Sequence, residues 1–282
     1  VSFFPHLLLA VLEGTVAAAV LALTALGLSL VFGVMRVVNV AHGEFYMLGA
    51  MMAWWASRLV PASPLLGFLL ALVVAPLTVG AVAFVTERLV LRRLNYNAES
   101  TIVATIGLLF VIQQAALSLF GAQARPVNAP FSYRIAFPWF GYSGYKLFVV
   151  LAALAILALA WWVLARTRAG LIMRITQFDS ETATAFGVPV TRVYSAVFVA
   201  GAMIAALAAV LLVPIQQAHY LMGLDPLLMS FIVVIIGGLG SIRGSVVAAL
   251  IIGMADGIIS VFFSPTLAAI LATLLVALVL VV

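Results

Sequence analysis

Residues 27–55 read GLSLVFGVMRVVNVAHGEFYMLGAMMAWW, a run long enough to cross a bilayer with Asn39, His42, Gly43 and Glu44 at its centre. A carboxylate at that depth costs roughly 2.5–3.5 kcal/mol on insertion scales. The group must therefore face protein, a water-filled cavity or the membrane surface. Gly43 between apolar flanks points to a broken helix or a tight bend. Irregular backbone at membrane depth persists only where protein or water satisfies its polar groups. His42 and Glu44 are two apart, so on one helix they diverge, and only the bend lets them converge. A buried hydrogen-bond partner is expected for Glu44, because leaving such a group unmatched is costly.

Composition sets the class. Of 282 residues 67% are hydrophobic and 7% charged, with mean hydropathy +1.33, whereas a soluble domain carries about 25% charged residues. The apolar runs are about 20 residues long, not the ~10-residue alternating strands of a membrane barrel. The chain reads as an all-α polytopic membrane protein, one transmembrane domain over residues 1–282. The net charge of +5 reads as membrane topology, not nucleic-acid binding, because most arginines sit in a few short loops. There is no cysteine, so neither disulfides nor thiolate metal ligands are available. The first residues lack a charged n-region, so no signal peptide is expected, and a polar tail is expected beyond Val282.

Apolar segments fall at about 7–34, 41–57, 65–86, 101–121, 147–165, 193–213, 227–242, 244–262 and 266–282. That predicts eight or nine crossings, with 41–57, 227–242 and 244–262 short enough to be half-helices or a re-entrant pair. Polar stretches 87–100 and 166–192 are arginine-rich, and 122–146 and 214–226 are not. Placing the first two in the cytoplasm puts Arg36, Arg88, Arg92, Arg93, Arg166, Arg168, Arg174, Arg192 and Arg243 inside. Arg58, Arg125, Arg134 and Lys146 are then outside. That split satisfies the positive-inside rule and makes the C-terminus cytoplasmic. Tyr133, Trp139, Phe140, Tyr142 and Tyr145 read as an outer aromatic belt, and Trp161 and Trp162 as an inner one. Glu13 is expected to snorkel outward and Asp256 to hydrate near a helix end.

Inside the loop 166–192, Asp179 or Ser180 can N-cap a short helix with Glu181 in its first turn. Gly187 and Pro189 end it. Small residues such as Ala183, Thr184 and Ala185 suit docking into a partner's groove; an interfacial helix resting on lipid is the alternative.

The run 230–257 holds Gly237, Gly238, Gly240, Gly244, Gly253 and Gly257. Three glycines among 237–240 favour a helix break. The spacing of Gly253 and Gly257 suits a small-residue packing face for a membrane partner. The run lacks the Gly-Lys-Ser/Thr ending of a P-loop, and Lys146 is the only lysine. Phe32-Gly33…His42-Gly43-Glu44 is faintly echoed by Gly237-Gly238…Arg243-Gly244-Ser245, as in transporters built from repeats with broken helices.

Three motifs in order carry a family resemblance: Asn39-Val40-Ala41-His42-Gly43-Glu44-Phe45; Glu181-Thr182-Ala183 with Gly187-Val188 and Arg192-Val193; and Gly237-Gly238-Leu239-Gly240-Ser241-Ile242 with Gly244. They resemble permease subunits of ABC importers for branched-chain amino acids, a family that also covers urea, amide and aromatic-acid importers. The resemblance implies a type II-like importer permease in the bacterial inner membrane, surrounded by lipid. It implies a homologous second permease, two cytoplasmic ATPase subunits that hold ATP and Mg, and an external solute-binding protein. No cofactor or nucleic acid is expected on this chain. Asn39, His42, Gly43 and Glu44 would organise the central bend of the translocation pathway. Gly237, Gly238 and Gly240 would line the second break, and Asp179, Glu181, Ala183 and Gly187 would couple the chain to the ATPases. Two departures stand out: Arg243 where a proline or small residue is expected, and Arg174-Ile175-Thr176 in place of an Arg-Ala pair. The competing reading is an ion-coupled secondary transporter with His42 and Glu44 as a proton relay. An enzyme finds no support, since no Ser/Lys dyad, His-x-x-x-His pair or facing carboxylate pair is present.

Overall fold

The computed structural model describes residues 3–264 without interruption, and residues 266, 267, 270, 271, 274 and 278 beyond them. α1 (Phe3–Met35) is followed by α2 (His42–Leu59) and α3 (Pro64–Thr86), which a π turn at Glu87–Leu91 extends. α4 (Ala98–Phe120) and α5 (Gly144–Arg166) are joined by β1 (Arg125–Pro126), β2 (Arg134–Ala136) and β3 (Gly141–Ser143). α6 (Arg168–Phe178) and the short α7 (Ser180–Ala185) lead into α8 (Val190–Leu212). β4 (Gln217–Ala218), α9 (Leu224–Gly237) and α10 (Ile242–Phe262) follow. Side-chain oxygens close the starts of α3, α4, α6, α7 and α10 by accepting a backbone N–H from the first turn: Ser63, Asn97, Thr167, Asp179 and Ser241.

α1 is the axis of the molecule. Its 33 residues make a helix about 50 Å long at 1.5 Å per residue. It is apolar on every side and buried over most of its length by α5, α8, α9 and α10, as an enclosed helix should be. Small residues set the spacing. A Cβ on Gly27 would lie 2.5 Å from the Gly201 carbonyl of α8, and a Cβ on Gly257 would strike the Gly14 backbone. In lipid such close packing replaces the hydrophobic drive between helices. Gly253 and Gly257 therefore pack on Ala18 and Gly14 within the chain. They do not form the outward face expected for a second permease. α4 and α5 lie at the periphery with most of their apolar surface outward.

Two ends of the bundle are distinct. β1 pairs with β4 and β2 with β3, so the loops around 121–143 and 213–223 share one end. Arg36, Gln177 and Gly240 meet at the opposite, arginine-rich end. That grouping agrees with the arrangement read from the arginines. The aromatic cluster divides. Tyr133 and Trp139 are exposed, but Tyr145 is buried and donates to the Leu211 carbonyl at 2.8 Å, and Tyr142 is buried too. Glu13 does not merely snorkel; it pairs with Lys146 at 2.6 Å.

Eight or nine crossings were expected. Among the described residues six helices are long and apolar enough to cross a membrane: α1, α3, α4, α5, α8 and α10. α10, expected to be a half-helix, is one of these. α9 has only 14 residues, about 21 Å, because the glycines end it at Gly237 and not at 242. α2 has 18 residues and starts deep, beside Thr24 and Gly27 of α1. The segment expected at 266–282 lies largely outside the described residues.

Gly27→Val should destabilise the membrane domain by about 1–3 kcal/mol or more, since backbone, not a flexible side chain, occupies the space. Folded yield and thermal aggregation in detergent measure it, with Gly107→Val, which meets open space, as the neutral comparison.

Candidate functional site

The chain turns back at 36–41, three residues earlier than the bend was expected, and His42, Gly43 and Glu44 form the first turn of α2. Arg36 adopts a left-handed conformation (φ 55°) to leave α1, and its guanidinium donates to the Gln177 carbonyl at 3.3 Å. Asn39 then closes the turn: its Oδ1 accepts from the Ala41 N–H at 3.1 Å, an Asx-type device. The Val40 N–H donates to Thr105 Oγ1 of α4 at 3.1 Å. His42 Nε2 donates to the Thr24 carbonyl at 3.0 Å, which fixes the imidazole on α1. The freed backbone of a break inside the bundle is thus met by protein groups, as membrane depth requires.

Asn39, His42 and Glu44 are 1%, 2% and 0% exposed. Neither Glu44 carboxylate oxygen has a hydrogen-bond partner among the described residues, so the donor expected from the sequence is not found there. Gly43 abuts Gly223, the residue just before α9; a Cβ on either would collide with the other's carbonyl. Two helix N-termini therefore meet about two-thirds of the way along α1. Gly223 was not singled out from the sequence. Its only signal is a glycine just before Leu-Asp-Pro.

The second break falls where expected. Gly237 packs on the Gly244 backbone, Gly238 (φ 92°) and Gly240 (φ 80°) take conformations open to glycine, and Ser241 caps α10. It touches α1 at Gly33, and Gln177 Nε2 donates to the Gly240 carbonyl at 3.3 Å. Gly33 lies nine residues beyond Thr24, about 14 Å along the helix. The two breaks therefore sit at different levels on α1, and Gly237, Gly238 and Gly240 do not join Asn39, His42 and Glu44 in one cluster.

The segment 167–189 holds two helices where one was expected. α6 precedes α7, and Asp179 lies between them as the N-cap, accepting from the Glu181 and Thr182 N–H groups and from the Thr182 hydroxyl. Those bonds, the Thr182 hydroxyl first, hold the Asp179 carboxyl below the usual carboxylate range. At the other end Val188 N–H reaches the Ala183 carbonyl and Gly187 N–H the Thr184 carbonyl, a Schellman closure with Gly187 at φ 80°. Ala183 is fully buried and so packs inside the protein; the outward groups are Glu181, Thr182, Thr184, Ala185 and Phe186. Phe178 and Phe186 are 88% and 83% exposed.

A polar cluster that the sequence did not indicate joins the base of α8 to the turn after α3. Buried Glu87 accepts from Tyr96 Oη at 2.5 Å and from Ser195 Oγ at 2.7 Å, and Arg92 Nη2 donates to Ser195 Oγ at 2.9 Å. The π turn places Glu87 and Arg92 on one side, with the Arg92 N–H on the Glu87 carbonyl at 2.9 Å. Burial, reinforced by the Glu87 hydrogen bond, pushes the Tyr96 phenol up, so it stays a donor. Ser195 is three residues past Arg192 and apolar on both sides, the one hint in the sequence.

Ser195→Ala should cost about 1–3 kcal/mol, because it strips a donor from a buried carboxylate. A double-mutant cycle with Glu87→Gln should recover part of that cost if the two residues act as one network; additive losses in thermal unfolding would contradict it. For Asp179 the sign follows from its depressed carboxyl. The cap is complete above the ordinary carboxylate range and fades as pH falls through the lowered value. Protection of the α7 amides, taken as exchange relative to the intrinsic rate at the same pH, should fall in acid for the parent, be low at every pH for Asp179→Ala, and show no acid dependence for Asp179→Asn.

The family description "branched-chain amino acid transport system / permease component" matches residues 10–282. The chain is 26% identical over 264 residues to the high-affinity branched-chain amino acid transport system permease protein BraD of Pseudomonas aeruginosa, spanning 89% of this chain and 85% of that one. It is 27% identical over 286 residues to LivH of Escherichia coli, a protein of the same description, at 93% and 88% coverage. A probable LivH of Methanocaldococcus jannaschii is 24% identical, at 90% and 82% coverage. Among solved structures, PsaBC from Streptococcus pneumoniae aligns with a TM-score of 0.49 at 12% identity, covering 95% of this chain and 89% of that one. With a buried, glycine-packed bundle and a family match over nearly its whole length, this chain belongs to the permease-component family of branched-chain amino acid transport systems.

Proposed function

We propose that this chain is the transmembrane permease subunit of an ATP-driven ABC importer for branched-chain amino acids or a related small polar solute. The observation that carries the reading is α7, a six-residue helix capped at both ends that holds Phe178 and Phe186 in the open. Large apolar side chains fixed on a rigid polar-rimmed knob suit a protein groove. Two cytoplasmic ATPase subunits would receive the knob and hold ATP and Mg. A homologous second permease would complete the pathway, and an external solute-binding protein would deliver the solute. The arginine-rich end would face the cytoplasm of a bacterial inner membrane, as the positive-inside rule favours. The type II-like arrangement of eight or nine segments counts α2, α9 and the stretch 266–282 with the six long helices. The named solute of the relatives supports an amino acid, and the wider family keeps urea, amides and aromatic acids as alternatives.

Asn39 and His42 organise the bend in this reading, and their bonds to Ala41 and Thr24 support a structural role over direct solute contact. Glu44 is the point on which an ion-coupled transporter would depend, since its carboxylate is buried without a partner among the described residues. Reconstitution separates the two readings. The chain alone should show no saturable uptake; uptake should appear with the second permease, both ATPases, ATP and the binding protein. Ala185→Arg and Phe186→Ala, both at exposed positions, should leave the fold intact and lower ATP-driven uptake at least tenfold. Uptake by the isolated chain that follows a pH gradient and disappears in Glu44→Gln would instead establish the secondary transporter.

A further inference from the structure

Arg174 of α6 and Arg243 of α10 lie 69 residues apart in sequence yet wall the same cavity of about 260 Å³ at the arginine-rich end. Trp161 of α5, Gln177 and the helix-capping Ser241 share its rim. Leu30 and Val34 of α1, with Leu164 and Met173, make an apolar wall below it. Neither arginine forms an ion pair with an acidic side chain among the described residues. Arg243 stands where a proline or small residue was expected, and neither arginine has a part in the bend at 36–41. Two arginines and no carboxylate line this cavity, which makes it an anion-favouring site.

We propose that this cavity binds the phosphate of an anionic phospholipid, with the acyl chains leaving along the apolar wall of α1 and α5. Arginine forks match phosphate oxygens through paired N–H donors, and the two here come from different elements. The depth suits a headgroup: Trp161 and the neighbouring Trp162 are exposed at the end of a lipid-facing helix, the position of interfacial aromatics. Basic pockets between spans on the cytoplasmic side are a known chemistry for anionic headgroups. A soluble phosphate would use the arginines but not the wall. A bound lipid would hold α6 against the start of α10, the same two elements that Gln177 joins to the second break. The transport reading enters only in saying which leaflet supplies the lipid.

The test uses the full chain in detergent, equilibrated with equal phosphatidylglycerol and phosphatidylcholine and read by native mass spectrometry. Phosphatidylglycerol should be retained preferentially. Arg174→Gln and Arg243→Gln should each lower its retention about fivefold, the worth of one basic side chain near an anionic surface. Arg174→Lys, which keeps the charge, should retain more than Arg174→Gln, and Arg134→Gln at the opposite end should change nothing. Size exclusion confirms that each variant is folded. Equal retention of the two lipids, or undiminished retention in the double Gln variant, overturns the proposal. Displacement by millimolar inorganic phosphate as readily as by lipid assigns the site to a soluble anion and overturns the lipid. Loss of the lipid when ATPase subunits assemble assigns the cavity to a protein side chain and likewise overturns it.

Discussion

Backbone groups interrupted inside a membrane bundle must find partners within the protein, and the whole architecture follows from how α1 supplies them. The helix is long, apolar on all sides and studded with small residues, so α8, α9 and α10 come close enough to enclose two breaks. At the first, the Thr24 carbonyl holds His42 while Asn39 and Thr105 accept the loose N–H groups of the turn. At the second, Gly33 lets the Gly240 backbone approach. A larger residue at Gly27, Gly33 or Gly43 would separate the elements whose contact satisfies the breaks. Packing and hydrogen bonding here are one constraint, because the polar groups are reached only when the backbones touch.

Charge is kept to the ends of the bundle or buried in pairs. Glu13 and Lys146 meet near one end, and Glu87, Arg92, Tyr96 and Ser195 share bonds at the other. The second cluster ties the turn after α3 to the first turns of α8. α8 begins directly after α7, so the knob proposed to dock the ATPases is only a few residues from this clamp. Glu44 stands apart from this economy of charge. It is enclosed without a partner among the described residues, at the level where the N-termini of α2 and α9 meet. The positive ends of two helix dipoles favour a negative group at such a place.

The amino-acid sequence by itself determined the class: 67% hydrophobic residues in runs of about 20 leave a helical membrane protein as the solution. It also located both breaks and the capped helix at 180–185, since glycine clusters, Asn39 and Asp179 act through local backbone chemistry. The bend was misplaced by three residues because Arg36, not a glycine, takes the left-handed conformation that ends α1. What only the tertiary structure decided was which surfaces face which. Gly253 and Gly257 pattern like an outward packing face, yet α1 covers them; Ala183 patterns like a docking residue, yet it is buried; Tyr145 patterns like a belt residue, yet it joins the core. In a soluble protein polarity separates inside from outside along each helix. Here lipid and protein interior are equally apolar, so the hydrophobic pattern carries little information about the facing of a span. The meeting of Gly43 with Gly223, and of Glu87 with Ser195, depends on contacts across more than a hundred residues of chain, and only the packed bundle brings them together.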